Sequence, residues 1–145
     1  MTQIDIMDGM IRRLRDRWPE VICYTDYVPQ GFERPAFLVE VGKVVQEEAG
    51  GFDTRFTMEG KITIYLETDL YHHSHVPALC QREAEVMALF SHGYFPVGDR
   101  NPHVDRIQGE HGYDQAQVTL SISFSERWSG EEQYPLLQNV SVRIK

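Results

Sequence analysis

The sequence predicts an α+β domain with two helices packed on one face of a mostly antiparallel or mixed β-sheet. Two segments only, residues 3–17 and 76–91, have helical periodicity. The segments between and after them alternate apolar and polar residues, and the late strands follow one another with short, hairpin-like links. A chain of 145 residues without internal repeats has the size of one domain. We therefore predict a single domain over residues 1–128, followed by a C-terminal arm over residues 129–145.

The first predicted helix covers residues 3–17 and is amphipathic. Its apolar side chains recur at three- and four-residue steps and so share one face: Met7, Met10, Ile11, Leu14 and Trp18. Pro19 ends the helix. A short strand is expected over residues 21–24, continuing through residue 28.

The next segments predict two strands joined by a polar connection. Residues 35–41 are apolar on both faces near their centre, as in a strand that is covered on both sides. Residues 43–51 are polar and end in two glycines, which predicts a loop. From Phe52 to Glu67 the apolar residues stand on even positions, which indicates either one bent strand or a tight hairpin at Glu59-Gly60.

The second half of the domain predicts a helix and two more strands. Residues 76–91 carry a buried stripe of Val76, Leu79, Val86, Met87 and Phe90, and Gly93 is placed to end the helix. A strand is expected over residues 103–108 and a turn over residues 109–112. The last strand, residues 114–126, alternates regularly between apolar and hydroxyl side chains.

The C-terminal arm is too apolar to be a free tail. After the polar break at residues 129–132, the arm becomes apolar and then alternates. We expect it to pack on its own domain or on a neighbouring subunit. Its candidate interface residues are Tyr134, Leu136, Leu137, Val140, Val142 and Ile144.

Charge and composition exclude several classes of protein. A net charge of −8 argues against nucleic acid as the main partner, because a nucleic-acid binder neutralises phosphates with clustered cations. No apolar run approaches the roughly 20 residues that cross a bilayer, and no signal peptide is recognisable. We therefore expect the protein to be made and to stay in the cytoplasm. Cys23 and Cys80 lie among apolar residues and are expected to be buried thiols.

One basic cluster lies in the last turns of the first helix: Arg12, Arg13, Arg15 and Arg17. Cations there complement the negative end of the helix dipole. The cluster is either a solvated helix face or a contact with an acidic neighbouring subunit. Arg12 and Arg13 are the candidates for such an interface.

The histidines are the one pattern that suggests a metal. His72, His73 and His75 lie together at a strand-to-helix junction, but they lack the helical i,i+4 spacing and the carboxylate ligand of most catalytic zinc sites. A solvated loop with Ser74 or Thr68 as helix cap is the alternative. No phosphate-binding loop, nucleophile elbow or dinucleotide motif is present, and no cofactor is predicted.

Glu83 stands in the middle of the apolar stripe of the second helix. A buried carboxylate must be paired, protonated or placed at an interface, because unpaired burial is costly. The sequence leaves open an intrachain partner such as an arginine and a contact with another subunit.

Three ordered segments resemble a known family. The strand entry "QGFERPAFLVEV" at residues 30–41 is similar to a Gln-Gly-x-x-x-Pro-x-Phe pattern, and "GKITIYLE" at residues 60–67 to a strand ending in an aromatic residue. The closing "YPLLQNVSVRIK" at residues 134–145 is similar to an apolar and then alternating C-terminus. With the N-terminal amphipathic helix, these segments resemble the small tail-terminator proteins of myophage-like prophages. The chain departs from the pattern at residues 72–75 and 98–112.

This resemblance implies a structural virion protein without enzymatic activity or cofactor. It implies a homo-oligomer, a hexameric ring, at the head-proximal end of the tail, where it ends tube elongation. The implied partners are the tail tube protein and a head-completion or connector protein. Another head–tail or tail-completion protein remains an alternative, as does a small metal-dependent enzyme that uses His72, His73 and His75.

Overall fold

The computed structural model describes residues 1–25, 27–69, 71 and 73–127. These residues form two helices and five strands in an α+β arrangement, as predicted. The elements are α1 (Gln3–Arg17), β1 (Ile22–Tyr24), β2 (Ala36–Glu48), β3 (Asp53–Tyr65), α2 (Val76–Leu89), β4 (His103–His111) and β5 (Ala116–Arg127). The predicted C-terminal arm, with its candidate interface residues, lies outside the described part of the chain.

The five strands form one mixed sheet in the order β1-β2-β3-β5-β4. β1 pairs in parallel with β2, and each other neighbouring pair is antiparallel. Both helices bury their apolar faces in the same core as the even-numbered residues of β3 and β5. The two helices therefore cover one face of the sheet, which we call the helix face.

The ladder explains the even-position pattern of β3 and β5. Ile62 lies between Val39 of β2 and Val118 of β5, and these three side chains are fully buried. Because side chains alternate between faces, every second residue on these strands points to the helices. Burying one such aliphatic side chain stabilises the fold by roughly 1.5–3 kcal/mol.

One expectation about β2 is wrong, and one of the two alternatives for β3 is confirmed. Residues 43–48 form no loop, because they continue β2 in register with β3 although both faces are exposed. A strand with both faces in solvent does not need alternating apolar residues. The polar composition of residues 43–48 therefore resembled that of a loop between strands. Gly60 lies within a single continuous β3, without a hairpin at Glu59-Gly60. A Cβ at Gly60 would stand 2.9 Å from the Met10 side chain of α1, so glycine at this position leaves room for α1 to pack on the sheet.

β4 is also longer than predicted. It extends to His111, and the turn to β5 follows at residues 112–115, where the Gly112 amide donates to the Gln115 carbonyl over 2.7 Å. At the start of the chain, Thr2 and Asp5 form a capping box on α1. The bond from the Thr2 amide lowers the pKa of Asp5 below its ordinary value.

Candidate interaction surfaces

The far end of the β2–β3 hairpin stands out as an exposed arm, which we define as residues 42–53. A bulge between Val41 and Val44 shifts the register, and every β2 residue beyond it is exposed. Gly50 and Gly51 form the turn with φ of 95° and 57°, values that favour glycine. The arm exposes apolar side chains at unusual fractions: Val44 41%, Val45 38% and Phe52 52%.

Two long edge segments of the sheet, one on β2 and one on β4, have no strand partner among the described residues. β1 pairs with β2 only at residues 36–38, which leaves residues 43–48 with a free edge. On β4, residues 93–95 cover the first residues through a Tyr94–His103 bridge and a 2.7 Å bond from the Val104 amide to the Gly93 carbonyl. Residues 106–111 follow the β4 bulge and have no second neighbour.

Arg34 lies at the end of the sheet that is opposite the exposed arm. Its guanidinium carbon lies 4.9 Å from the centre of the Phe32 ring and 5.1 Å from that of Tyr65. Its Nη1 donates to the carbonyls of Leu66, at 2.9 Å, and Asp114, at 3.1 Å. The strand-entry motif of residues 30–41 thus forms a stacked contact on the face opposite the helices. Burial raises the pKa of the Tyr65 phenol, and the charge of Arg34 opposes that rise.

The two arginines proposed for an interface differ in their surroundings. Arg13 Nε donates to the Leu89 carbonyl at the end of α2 over 3.0 Å, so it satisfies a helix terminus within the chain. Arg12 is exposed and lines an open cleft of about 580 Å³ with Asp5, Asp8 and Asp99. Arg12 is therefore the more accessible of the two, and its role at an interface stays a prediction.

Glu83 is largely buried, with 15% of its side chain exposed, and it packs against Gly109 of β4. Its Oε1 has no hydrogen-bond partner among the described residues, and His111 Nδ1 lies 3.9 Å away. No arginine pairs with it in that part of the chain, since the guanidinium of Arg82 faces Glu85 at 3.5 Å. An interface role for Glu83 stays a prediction.

The histidine-rich loop forms no ligand cluster in the part that is described. His73 and His75 are exposed, the His73 ring packs 5.0 Å from that of Tyr113, and His72 lies outside the described residues. No group of three metal-ligating side chains occurs in residues 1–25, 27–69, 71 and 73–127. The expected helix cap is wrong: His75 is the N-cap, without a side-chain bond, and the Ser74 hydroxyl faces the Leu66 carbonyl.

The two cysteines differ in exposure, so the prediction of buried thiols is wrong for one of them. Cys23 is half-buried, and burial raises the pKa of its thiol. Cys80 is exposed, with its Sγ 3.7 Å from His111 Nδ1. Cys80 follows the buried Leu79 by one residue, and one helical step of about 100° turns its side chain outward.

The residues of the arm and of the free edges were missed as candidates in the sequence. One signal was available: the β-branched pair Val44-Val45 precedes Gly50-Gly51 and Phe52 at a spacing typical of a hairpin. The polar residues around that pair hid it, because they lack the alternation of a half-buried strand.

One protein family matches part of the chain. Residues 5–74, which cover most of α1 and all of β1, β2 and β3, match the family described as phage tail terminator protein. Over these residues, just under half of its length, the chain is similar to phage tail terminator proteins. The match supports a structural role in a bacteriophage tail.

Further comparisons add little to this family assignment. A solved structure with no functional name aligns with 89% of this chain and 97% of its own, at 16% identity and a TM-score of 0.48. Among curated proteins, none matches. No helix within the described residues is long and apolar enough to cross a membrane.

Proposed function

We propose that this tail protein assembles into a ring that caps the tail tube, ends its elongation and offers the surface to which the head is joined. The observation that carries the proposal is the family match over residues 5–74. The ring is a homo-oligomer, hexameric as in the resemblance, and assembles in the host cytoplasm. Its partners are the tube protein and a head-completion or connector protein, and it uses no cofactor and catalyses no reaction.

The surface of the domain is compatible with repeated protein contacts. A ring requires two different surfaces on each copy that fit each other. The exposed arm and the unpaired edges of β2 and β4 are surfaces of this kind, because unpaired strand edges are templates for pairing.

Deletion of the gene from the phage that carries it tests the proposal. We expect tails of irregular, excessive length without heads, and we expect the wild-type gene in trans to restore tails of one length joined to heads. Electron microscopy of the particles measures both properties. Normal tail length with detached heads would instead indicate a head–tail completion protein, and normal intact phage would refute a structural role at this end of the tail.

A further inference from the structure

We propose that neighbouring copies of this chain join their sheets edge to edge. The β2 segment of residues 43–48 in one copy pairs, antiparallel, with the β4 segment of residues 106–111 in the next. The inference rests on the proposed ring and names the contact between its subunits. The occupant of each edge is therefore a second copy of this chain.

The two segments are equal in length, and both lack a second neighbouring strand among the described residues. Each spans six residues, and neither has a second strand neighbour among the described residues. The β2 segment lies between the bulge that follows Val41 and the hairpin turn, and the β1 ladder ends before it, at Leu38. On β4, the contact with residues 93–95 and the turn at Gly112 set the limits. Backbone amides and carbonyls left open along both segments can pair with each other.

The strand directions allow the pairing. Three successive antiparallel ladders connect β2 to β4 within a chain, so these two strands run in opposite directions. A neighbouring copy that keeps its helices on the same side and its strands along the same axis presents β4 antiparallel to β2. The two edges are different surfaces, so the contact is heterologous and repeats from copy to copy, as a ring requires.

The faces of the two strands restrict the register. On β2, Val44 and Gln46 lie opposite Met58 and Phe56 of β3 and so belong to the helix face. On β4, Ile107 lies opposite Leu120 and belongs to the same face. Residues opposite each other across an antiparallel pair share a face. Glu47 and Arg106, both on the other face, can therefore stand opposite each other.

Charge complementarity selects one of the permitted registers. With Glu47 opposite Arg106, Lys43 comes to lie opposite Glu110, and Val45 opposite Gln108. Among the described residues, Lys43, Glu47 and Glu110 form no ion pair. A shift of two residues either way would place Val45 opposite a charge and remove both pairs. Opposite charges directly across strands stabilise a sheet.

The helix face of the joined edges also fits. In this register the exposed Val44 of one copy stands opposite Gly109 of the next, where Met87 and Glu83 of α2 lie over the strand. Gln46 stands opposite the half-buried Ile107. The apolar surface that the arm exposes is thereby placed against the neighbour's α2–β4 side.

Disulfide cross-linking tests the register. In a Cys23→Ala/Cys80→Ser background, one preparation carries Val45→Cys and a second carries Gln108→Cys. Opposite Cα atoms in an antiparallel pair are about 4.5–5.5 Å apart, within the range of a disulfide. We expect a covalent dimer only when the two preparations are mixed and oxidised, either as free protein or on purified tail tubes. The matched control, Val45→Cys with Ile107→Cys, places the thiols on opposite faces and should yield little dimer.

Charge reversal tests the same contact without new thiols. We expect Glu47→Arg or Arg106→Glu to lower the assembled fraction at least tenfold, and the double variant to restore it. Glu48→Arg, on the other face of the same strand, should assemble like the wild type. The assembled fraction is read from light-scattering mass and from electron micrographs.

The outcomes separate this inference from the proposed function. Rings that form without the Val45–Gln108 cross-link, and that tolerate both single reversals, would overturn the edge contact and leave the ring. A cross-link in register, together with normal tails after deletion of the gene, would support the edge contact and overturn the capping function. No cross-link and no assembly, with or without tubes, would overturn both.

Discussion

At the scale of single residues, Arg34 connects distant parts of the chain. Its guanidinium stacks against Phe32 and Tyr65 and donates to carbonyls that follow β3 and precede β5. A planar, permanently charged group is suited to both tasks, whereas an ammonium group can serve only as a point charge. This explains why arginine occupies the position two residues before the strand β2.

Replacing Arg34 by glutamine removes the charge and both bonds. We expect the free energy of unfolding to fall by about 1–3 kcal/mol, since two partly buried carbonyls lose a charged donor. A positive neighbour stabilises the phenolate, so the pKa of Tyr65 should rise above its value in the wild type. Denaturant unfolding and ultraviolet titration measure the two effects. Arg12→Gln, at an exposed site, should change neither, and an unaltered Tyr65 titration in Arg34→Gln would contradict the expectation.

Gly9 allows α1 to lie against residues 95–97. A Cβ at this position would come within 2.7 Å of Val97 Cγ2 and 3.2 Å of the Phe95 ring. We expect Gly9→Leu to lower the free energy of unfolding by about 1–3 kcal/mol, the usual cost of overpacking a core. Thermal or denaturant unfolding measures it, with Asp8→Leu at the neighbouring exposed position as control. Equal stability of the two variants would show that residues 95–97 move aside readily.

At the scale of elements, the β4 bulge places the Asp105 carboxylate among hydrogen-bond donors and positive charges. Asp105 accepts from His103 and lies near Arg55 of β3, with Oδ2 3.8 Å from the arginine Nη2. Burial alone would raise the pKa of Asp105. Hydrogen bonds from Ser123 and His103, with the charges of His103 and Arg55, outweigh it and hold that pKa below its ordinary value of 3.8.

This lowered pKa has a defined sign in the pH dependence of stability. The ionised Asp105 stabilises the fold fully above its unfolded pKa, near 3.8, and loses that contribution as the pH falls through the lower folded value. We expect the wild type to be more stable than Asp105→Asn at pH 6, and the difference to shrink below about pH 4. Urea unfolding of both proteins between pH 6 and pH 2.5 checks this. A difference that does not depend on pH would assign the effect to packing.

The elements that bury one face were predictable from the sequence, and those exposed on both faces were not. Met10 and Leu14 on α1, and Ile62 and Val118 on the strands, follow their periods because one face meets the core. Residues 43–48 have no buried face, so their sequence lacks the alternation of apolar residues that would predict a strand. The exposure of Cys80 was missed because apolar neighbours suggested burial, although its place beside Leu79 on the helix turned it outward.

At the scale of the whole molecule, the C-terminal arm lies beyond the residues that form the core of the domain. The core that unites both helices with the sheet lies within residues 6–124. We propose that the C-terminal arm contacts a neighbouring subunit, because its alternating apolar residues exceed what a free tail carries. The sequence alone therefore predicts assembly contacts at the C-terminus. The free edges can be identified only once the pairing of the strands is known.

A chain ending at Ser129 tests the arm. We expect its thermal unfolding to resemble that of the full chain, because the core is retained, and its assembled fraction to fall strongly. Calorimetry and light scattering measure the two properties. The variant Val140→Ser/Val142→Ser/Ile144→Ser keeps the chain length and should show the same loss of assembly. Undiminished assembly of the shortened chain would exclude the arm from the contact.

The bonds of Arg34 bear on how freely the two halves of this chain diverge in evolution. The family match ends at residue 74, yet Arg34 reaches across to residue 114 in the half that is not matched. It meets a backbone carbonyl there, which every amino acid possesses. Side chains at residue 114 can therefore change from one relative to another without breaking the link, whereas an exchange of Arg34 for a residue without a side-chain donor breaks it.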